Sequence, residues 1–413
     1  MKIYIKTFGC RVNQVESQHL SEKFLAAGCE LCGTFECADV CLLNTCTVTG
    51  EADRDVERLA RRIARRNPSA RLILTGCYAT MHSRRIREVI PSAEVIGNAD
   101  KKNISALLLG SCAGDDAGRW TIAGHLGHTR AFVKIQDGCS DGCRYCIVWK
   151  ARSVMYSKPL ADAVAEIRGL VEAGYPEIVL TGINVGNYRC PETGAELDGL
   201  LTAVFALEGR FRVRLSSLEP KNITPRFIAA CAAGADKFCA HFHLPLQAGT
   251  DRVLAAMGRR YDTDFYASRV ALLRSAFAEP GIYADLIAGY PAETAPDFEA
   301  GKAFVQALQL SGLHVFRFSP RPGTEAAALE GHAPSELKRR ADELRALDGM
   351  LRKAFAAALA GTSQLVTVEE CRPDGSALGV AGNFQKIILK NCSEKNILRA
   401  VTVLRAQDGT CFA

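Results

Sequence analysis

The chain has 413 residues, 48% hydrophobic and 23% charged, a balance that excludes a disordered tail, a collagen-like fibre or a coiled rod and leaves room for two or three domains. Lys and Arg total 51 against 45 Asp and Glu, a net +6, which permits an anionic partner without demanding one. No apolar run approaches the roughly 18 residues of a membrane span, and the opening Lys2-Ile-Tyr-Ile-Lys-Thr-Phe-Gly-Cys10 lacks the apolar stretch of a signal peptide. The expectation is a cytoplasmic protein with no membrane contact. The 17 cysteines are odd in number, so they cannot all pair internally, and in a reducing compartment they read as metal, cluster or redox ligands or as small apolar side chains.

Residues 1–98 alternate apolar runs at 2–8, 38–44, 71–75 and 93–96 with helix-period stretches at 16–27, 53–66 and 82–90. That pattern predicts an α/β domain on a parallel sheet. Residues 99–130 carry Gly110, Gly114, Gly118, Gly124 and Gly127 with little periodicity and read as a linker. From 131 to 333, strand-like runs recur at 132–135, 177–181, 213–217, 241–244, 283–287 and 314–318, which predicts a partial barrel of six βα units. Residues 334–361 form one long connecting helix. Residues 362–413 hold short β runs at 364–368, 377–390 and 398–404 and predict a small β-barrel.

Chemistry concentrates first at Cys139-Ser-Asp-Gly-Cys143-Arg-Tyr-Cys146, directly after the first barrel strand. Three thiolates in so short a loop can bind three irons of a [4Fe–4S] cube and leave the fourth iron for a substrate or cofactor. Zinc would ask for a fourth protein ligand, and no Cys or His lies nearer than His128 and Cys190. Cys10, Cys46 and Cys77 lie far apart in sequence, yet each follows one of the first parallel strands at its C-terminal end, the edge where ligands collect. They can meet there as a second cluster site, or they can be three buried cysteines, a common fate for that residue.

The phrasing around these cysteines resembles a known family. Cys-x3-Cys-x-aromatic-Cys opening a six-unit barrel resembles the radical S-adenosylmethionine superfamily. Phe8-Gly-Cys-Arg-Val-Asn-Gln14, Asn44-Thr-Cys-Thr-Val48, Thr75-Gly-Cys-Tyr78, Ser216-Ser-Leu-Glu-Pro220, His243-Leu-Pro-Leu-Gln-Ala-Gly249 and Phe318-Ser-Pro-Arg-Pro-Gly-Thr324 are similar to its methylthiotransferases, most of all to the branch acting on N6-threonylcarbamoyladenosine in tRNA. The resemblance implies two [4Fe–4S] clusters, a radical-generating one on Cys139, Cys143 and Cys146 and an auxiliary one on Cys10, Cys46 and Cys77. It implies S-adenosylmethionine, an electron donor such as a flavodoxin or ferredoxin, and transfer of a methylthio group to C2 of the adenosine beside the anticodon. Related substrates are isopentenyladenosine in tRNA and an aspartate of a ribosomal protein; a different class of protein, an RNA-binding iron–sulfur protein without catalysis, would bind clusters and leave S-adenosylmethionine intact. The chain departs from the family at Ile147-Val-Trp-Lys150, where Ile-Ile-Pro-Tyr is usual, and in its short TRAM-like tail, which carries six Lys/Arg against five Asp/Glu.

Gly182, Asn184, Glu219, Gln247 and Asp285 fall in or near the C-terminal ends of barrel strands and are candidates for holding S-adenosylmethionine. His241 and His243 alternate on a strand and read as packing. Cys29, Cys32, Cys37 and Cys41 imitate a metal motif, but the first should end a helix and the last sit inside a strand. The segment 54–66 places Val56, Leu59, Ala60 and Ile63 on one helical face and Arg58, Arg61, Arg62, Arg65 and Arg66 on the other. Residues 54–87 hold ten Arg against two acids, so this face is a candidate contact for the phosphates of a tRNA anticodon stem-loop.

Overall fold

The computed structural model describes residues 1–110, 120–125 and 127–413. They fall into two compact units, each assembled from separate stretches of chain. The first comprises Met1–Leu126, Gln136–Lys158 and Ser319–Ala327, and the second Gly127–Ile135, Pro159–Phe318 and Ala328–Ala413.

The first unit opens with β1 (Lys2–Thr7), α1 (Arg11–Ala26), β2 (Glu30–Leu31), β3 (Val40–Thr45), α2 (Gly50–Arg66), β4 (Arg71–Gly76), α3 (Cys77–Met81), α4 (Ser83–Val89), β5 (Ala93–Ile96) and α5 (Ile104–Leu109). The strands form one parallel sheet in the order β2-β1-β3-β4-β5. β3 reads Val-Cys-Leu-Leu-Asn-Thr and is buried along its whole length, as a central parallel strand covered on both faces should be. Leu43, Leu72 and Leu74 pack with Val56, Ala60 and Ile63 of α2, while Ile3, Leu42 and Ile73 pack on the opposite face with Leu20 and Phe24 of α1 and Ile104 of α5. The strand order reverses between β1 and β3, which makes the carboxyl ends of those two strands the switch point where such sheets bind ligands. α2 begins at Thr49, whose hydroxyl accepts from the Ala52 N–H at 3.2 Å, and it runs from Glu51 and Asp53 to Arg65 and Arg66, in line with the helix dipole.

The expected linker at 99–130 departs from that reading at its start. Residues 101–103 form a 3₁₀ turn leading into α5, and Lys101 is buried. Further on, Trp120 packs edge-on to His19 of α1, and Lys158 donates to the Trp120 carbonyl at 2.7 Å. An apolar helix of only six residues is too short to show a period in sequence. Gly114 and Gly118 of the expected linker lie outside the described residues.

β6 (Arg130–Lys134) belongs to the second unit. β7 (Gln136–Asp137), α6 (Val148–Ala151) and β8 (Tyr156–Ser157) belong to the first. There follow α7 (Leu160–Glu172), β9 (Glu177–Thr181), α8 (Leu197–Phe205), β10 (Arg212–Leu215), α9 (Pro225–Ala233), β11 (His241–His243), α10 (Asp251–Ala256), α11 (Thr263–Ala276), β12 (Gly281–Ala288), α12 (Ala295–Ala307), β13 (Gly312–Arg317) and α13 (Pro334–Ala358). Strands β10-β9-β6 form one parallel sheet and β11-β12-β13 another. Parallel bridges Val213–Phe238 and Ser217–His243 join them, so six strands follow one another around a partial barrel.

The last stretch adds β14 (Ser363–Cys371), β15 (Ala377–Ala381), β16 (Lys386–Leu389), β17 (Ile397–Thr402), β18 (Arg405–Gln407) and β19 (Thr410–Phe412), in sheet order β17-β14-β15-β16-β19-β18. β17 and β18 are two halves of one bent strand. Val403 donates to the Thr362 carbonyl at 2.9 Å and Leu404 to that of Phe412 at 2.8 Å, so the chain passes directly from pairing with β14 to pairing with β19 and the sheet curls towards closure. This small barrel is tied to the opening residues of the larger one. Glu177, fully buried, accepts from Arg212 Nε at 2.8 Å, Arg214 Nε at 2.6 Å and the Thr367 hydroxyl at 2.9 Å. The two guanidinium groups also donate to the carbonyls of Leu365, Val380, Ala381 and Gly382.

Candidate cluster and substrate sites

Cys10 caps the start of α1, Cys46 follows β3 and Cys77 begins α3 directly after β4. The three loops are pressed together. Gly9, at φ +86°, lies so near Cys46 that a Cβ there would sit 2.5 Å from its sulfur; a Cβ on Gly76, at φ +97°, would sit 2.3 Å from the Thr45 carbonyl. Glycine is therefore required at both positions. Cys46 and Cys77 are buried and Cys10 keeps solvent access. Burial, with Cys10 and Cys77 beside it, pushes the Cys46 thiol up to about 12 against the backbone N–H groups of Val48 and Thr47. Desolvation raises the Cys10 thiol too, and the Arg152 guanidinium opposes it. Asn98 points its amide at the Cys77 sulfur at 3.6 Å. A cation bound by these thiols would displace their protons.

Arg152 is the hub between this trio and the second triplet. It is 2% exposed and bonds Glu16 of α1 at 2.9 Å, Asn13 at 2.7 Å and Asp137 at 2.7 Å. Lys101 adds a second buried cation, 2.6 Å from Glu16 and 3.0 Å from Asn44. None of this network shows in the sequence pattern, because its members lie up to 139 positions apart.

The second triplet sits in a loop closed at its base by the antiparallel pair β7–β8. Gly138, at φ +83°, allows the turn, since a Cβ would lie 2.4 Å from the Val154 carbonyl. Backbone N–H groups aim at two sulfurs, Asp141 at Cys139 (3.5 Å) and Val148 at Cys146 (3.4 Å), the arrangement that stabilises thiolate sulfur in clusters. Burial, with Asp141 and Cys146 nearby, pushes Cys139 up to about 12. Segment 319–327 braces both cysteine loops: Ser319 accepts from the Gly50 N–H at 3.1 Å, Arg321 donates to Asp53 at 2.8 Å and to the Thr47 carbonyl at 3.2 Å, and Ala326 donates to the Arg144 carbonyl at 3.0 Å. Two thiol trios with backbone donors and a buried cation fit a pair of anionic iron–sulfur clusters. The four-cysteine imitation comes together only in part: Cys32 and Cys37 lie side by side with Cys41 of β3 near both, while Cys29 stands just beyond α1, and no three of these sulfurs lie within 4.8 Å of one another.

All five arginines of the α2 face are exposed. Three are partly spoken for: Arg58 pairs with Asp55, Arg61 with Glu57 at 2.9 Å, and Arg66 stands 3.9 Å from Glu36. Arg62 lies over the Phe35 ring, and among the described residues Arg65 has no ion-pair partner. The two acids within 54–87 therefore offset part of the patch.

In the second unit, Gly182 and Asn184 follow β9, Glu219 follows β10 and Gln247 follows β11. Gln247 adopts φ +74°, and its N–H donates to the Asp285 carbonyl at 2.7 Å. Glu219 pairs with Arg259. Asp285, a candidate for holding the cofactor, is engaged by two imidazoles: His243 Nε2 at 2.6 Å and His314 Nδ1 at 3.1 Å from the same carboxylate oxygen. Burial works against ionisation there, yet the two histidines hold Asp285 down at about 2. The expectation that His241 and His243 both pack is half overturned. His241 packs on Tyr283 and Phe384, while His243 points at Asp285 because strand register pairs it with Tyr283, two residues before Asp285 on the same face of β12.

Residues 2–97 match the uncharacterized protein family UPF0004 and residues 133–304 the radical SAM superfamily. A threonylcarbamoyladenosine tRNA methylthiotransferase of Thermotoga maritima is 35% identical over 83% of this chain and 81% of its own length. The chain belongs to the radical S-adenosylmethionine methylthiotransferases. A second methylthiotransferase relative, a tRNA-2-methylthio-N(6)-dimethylallyladenosine synthase of Nitrosospira multiformis, is 33% identical over 89% of this chain and 82% of its own. Among solved structures, the radical S-adenosylmethionine methyltransferase TsrM of Kitasatospora setae superposes with TM-score 0.57 at 14% identity over 79% of this chain and 77% of its own, a likeness of fold.

Proposed function

We propose that this methylthiotransferase adds a methylthio group to C2 of N6-threonylcarbamoyladenosine beside the anticodon of tRNA. The observation that carries the reading is the placement of both cysteine triplets in one compact unit, with Arg152 bonded to the elements that bear each. Cys139, Cys143 and Cys146 hold the radical-generating [4Fe–4S] cluster and leave one coordination position for S-adenosylmethionine. Cys10, Cys46 and Cys77 hold the auxiliary cluster. Together the clusters and S-adenosylmethionine supply hydrogen abstraction at an unactivated C–H bond, sulfur and a methyl group.

The chain's own side chains bind and orient. Arg152 and Lys101 place positive charge beside the auxiliary thiolates, and Arg321 and Ser319 fix the loop after Cys46. Gly182, Asn184, Glu219 and Gln247 contact S-adenosylmethionine. The α2 arginines meet the phosphates of the anticodon stem-loop, and a flavodoxin or ferredoxin delivers electrons. Among the described residues no helix is long and apolar enough to cross a membrane.

The test is anaerobic incubation of the reconstituted protein with threonylcarbamoylated tRNA, reductant and S-adenosylmethionine, followed by mass spectrometry of the nucleosides. The reading expects the threonylcarbamoyladenosine peak to move by the mass of a methylthio group. It fails if no tRNA adenosine changes, and a shift confined to isopentenyladenosine would transfer the activity to that substrate.

A further inference from the structure

We propose that His243, Asp285 and His314 form a binding site for a single divalent first-row transition ion, separate from both cysteine triplets. The three residues lie on the neighbouring parallel strands β11, β12 and β13, with Asp285 paired to His314 in register and His243 paired to Tyr283. Their donor atoms outline a small triangle: His243 Nε2 to Asp285 Oδ1 is 2.6 Å, His314 Nδ1 to the same oxygen 3.1 Å, and the two nitrogens stand 3.3 Å apart. An ion about 2.1 Å from each ligand separates neighbouring donors at right angles by about 3 Å, so the triangle matches one face of such a coordination shell.

Hydrogen bonding is the competing account, since one carboxylate oxygen can accept from two N–H groups, and the glutamine variants below separate the two. The surroundings support ligation. The Ser217 hydroxyl lies 2.6 Å from His243 Nδ1; accepting the Nδ1 hydrogen, it is the outer-shell partner that would present Nε2 to a metal. The Tyr283 ring lies nearly parallel to that of His314, at 13° with centroids 6.3 Å apart. Side-chain exposures of 16%, 18% and 43% for His243, Asp285 and His314 leave the site open to an ion from solution. Two imidazoles and one carboxylate on one face select Fe²⁺, Co²⁺ or Zn²⁺ over Mg²⁺ or Ca²⁺, which prefer all-oxygen shells.

The probe is Co²⁺. The cluster-loaded full chain is equilibrated with it anaerobically and desalted, and cobalt is counted by mass spectrometry beside iron and sulfide. The wild type should retain about one cobalt per chain, H243Q and H314Q at least tenfold less, and H332A, at a histidine whose Nε2 faces the Tyr290 carbonyl at 3.2 Å, as much as wild type, with iron unchanged in all. Glutamine still hydrogen-bonds Asp285, so an unchanged melting curve with lost cobalt separates ligation from hydrogen bonding. X-ray absorption on the wild type decides the matter without any variant: a nitrogen/oxygen shell containing imidazole supports the site. Wild type without cobalt, glutamine variants that keep it, or a sulfur shell would each overturn the proposal. Because the readout is metal count, it stands or falls independently of whether tRNA is modified.

Discussion

Replacing Arg152 by methionine tests whether one buried cation holds the two cysteine loops together. Arg152 and Glu16 are each 2% exposed, and the guanidinium bonds Glu16 twice, Asn13 once and Asp137 once. Removing one partner of a buried pair costs about 3–5 kcal/mol. Two features place R152M at the lower end. Glu16 keeps Lys101 at 2.6 Å, and Lys101 is relieved of the like charge that, after burial, helps depress its pKa. The expected loss is therefore about 3 kcal/mol, a factor on the order of 10² in the folding equilibrium. Loss of the cation also removes the chief charge favouring the Cys10 thiolate, so the auxiliary cluster should load more slowly and need higher pH. The assays are urea unfolding of the cluster-free chain and iron counting after reconstitution at several pH values. R152K, which keeps the charge and loses the forked geometry, should recover more of the loading than of the stability. If R152M unfolds within about 1 kcal/mol of wild type and loads iron with the wild-type pH dependence, the hub assigned to Arg152 is wrong.

Other outcomes follow from the same geometry. Alanine at Cys139, Cys143 and Cys146, or at Cys10, Cys46 and Cys77, should each lower the iron content from about eight per chain to about four; a wild type holding only about four would remove the auxiliary site. G138A should cost about 1–2 kcal/mol for the left-handed backbone alone and, through the clash with the Val154 carbonyl, abolish S-adenosylmethionine cleavage while the N-terminal trio still loads. E177Q should destabilise the chain by about 3–5 kcal/mol near neutral pH. Burial opposes the Glu177 charge, but Arg214 and Arg212 hold its pKa well below the ordinary value. Its stabilisation is therefore full above the unfolded-state pKa of about 4.3 and lost as pH falls below it, so the melting gap between E177Q and wild type should close in acid; a gap constant from pH 7 to pH 3 would contradict this. Charge reversal at Arg61, Arg62 and Arg65 should weaken tRNA binding at least tenfold and flatten its salt dependence by about one unit of slope for each phosphate the helix no longer neutralises; unchanged filter-binding curves would clear α2 of the role.

Much of the architecture was legible because buried strands and amphipathic helices leave periods in the sequence. The position of Cys10, Cys46 and Cys77 at strand ends was readable for the same reason. Three kinds of feature were not. Lys101, Glu16 and Arg152 interrupt apolar patterns as charged residues, and only the fold reveals that Glu16 pairs with both cations. Glu177, Arg212 and Arg214 sit at strand starts, where a charge normally marks a solvent-exposed end, yet the C-terminal barrel covers them. The His243–Asp285–His314 triangle depends on register between strands, and alternation along one strand gives the face of a side chain but not its neighbour across the sheet.

The first unit is built from three stretches of chain that end at Ala327. At a synthesis rate of about 5–20 residues per second, roughly 15–65 s separate the start of translation from the emergence of segment 319–327, which braces the loops after Cys46 and Cys143. The N-terminal sheet can pack long before that, but its three cysteine loops wait on a nascent chain for Arg152, which bonds Asn13 and Glu16, and then for Arg321. Assembly of the metal centres is thus a late event in the life of this polypeptide, and a ribosome stalled before residue 327 would leave a folded sheet whose cysteine loops lack their brace.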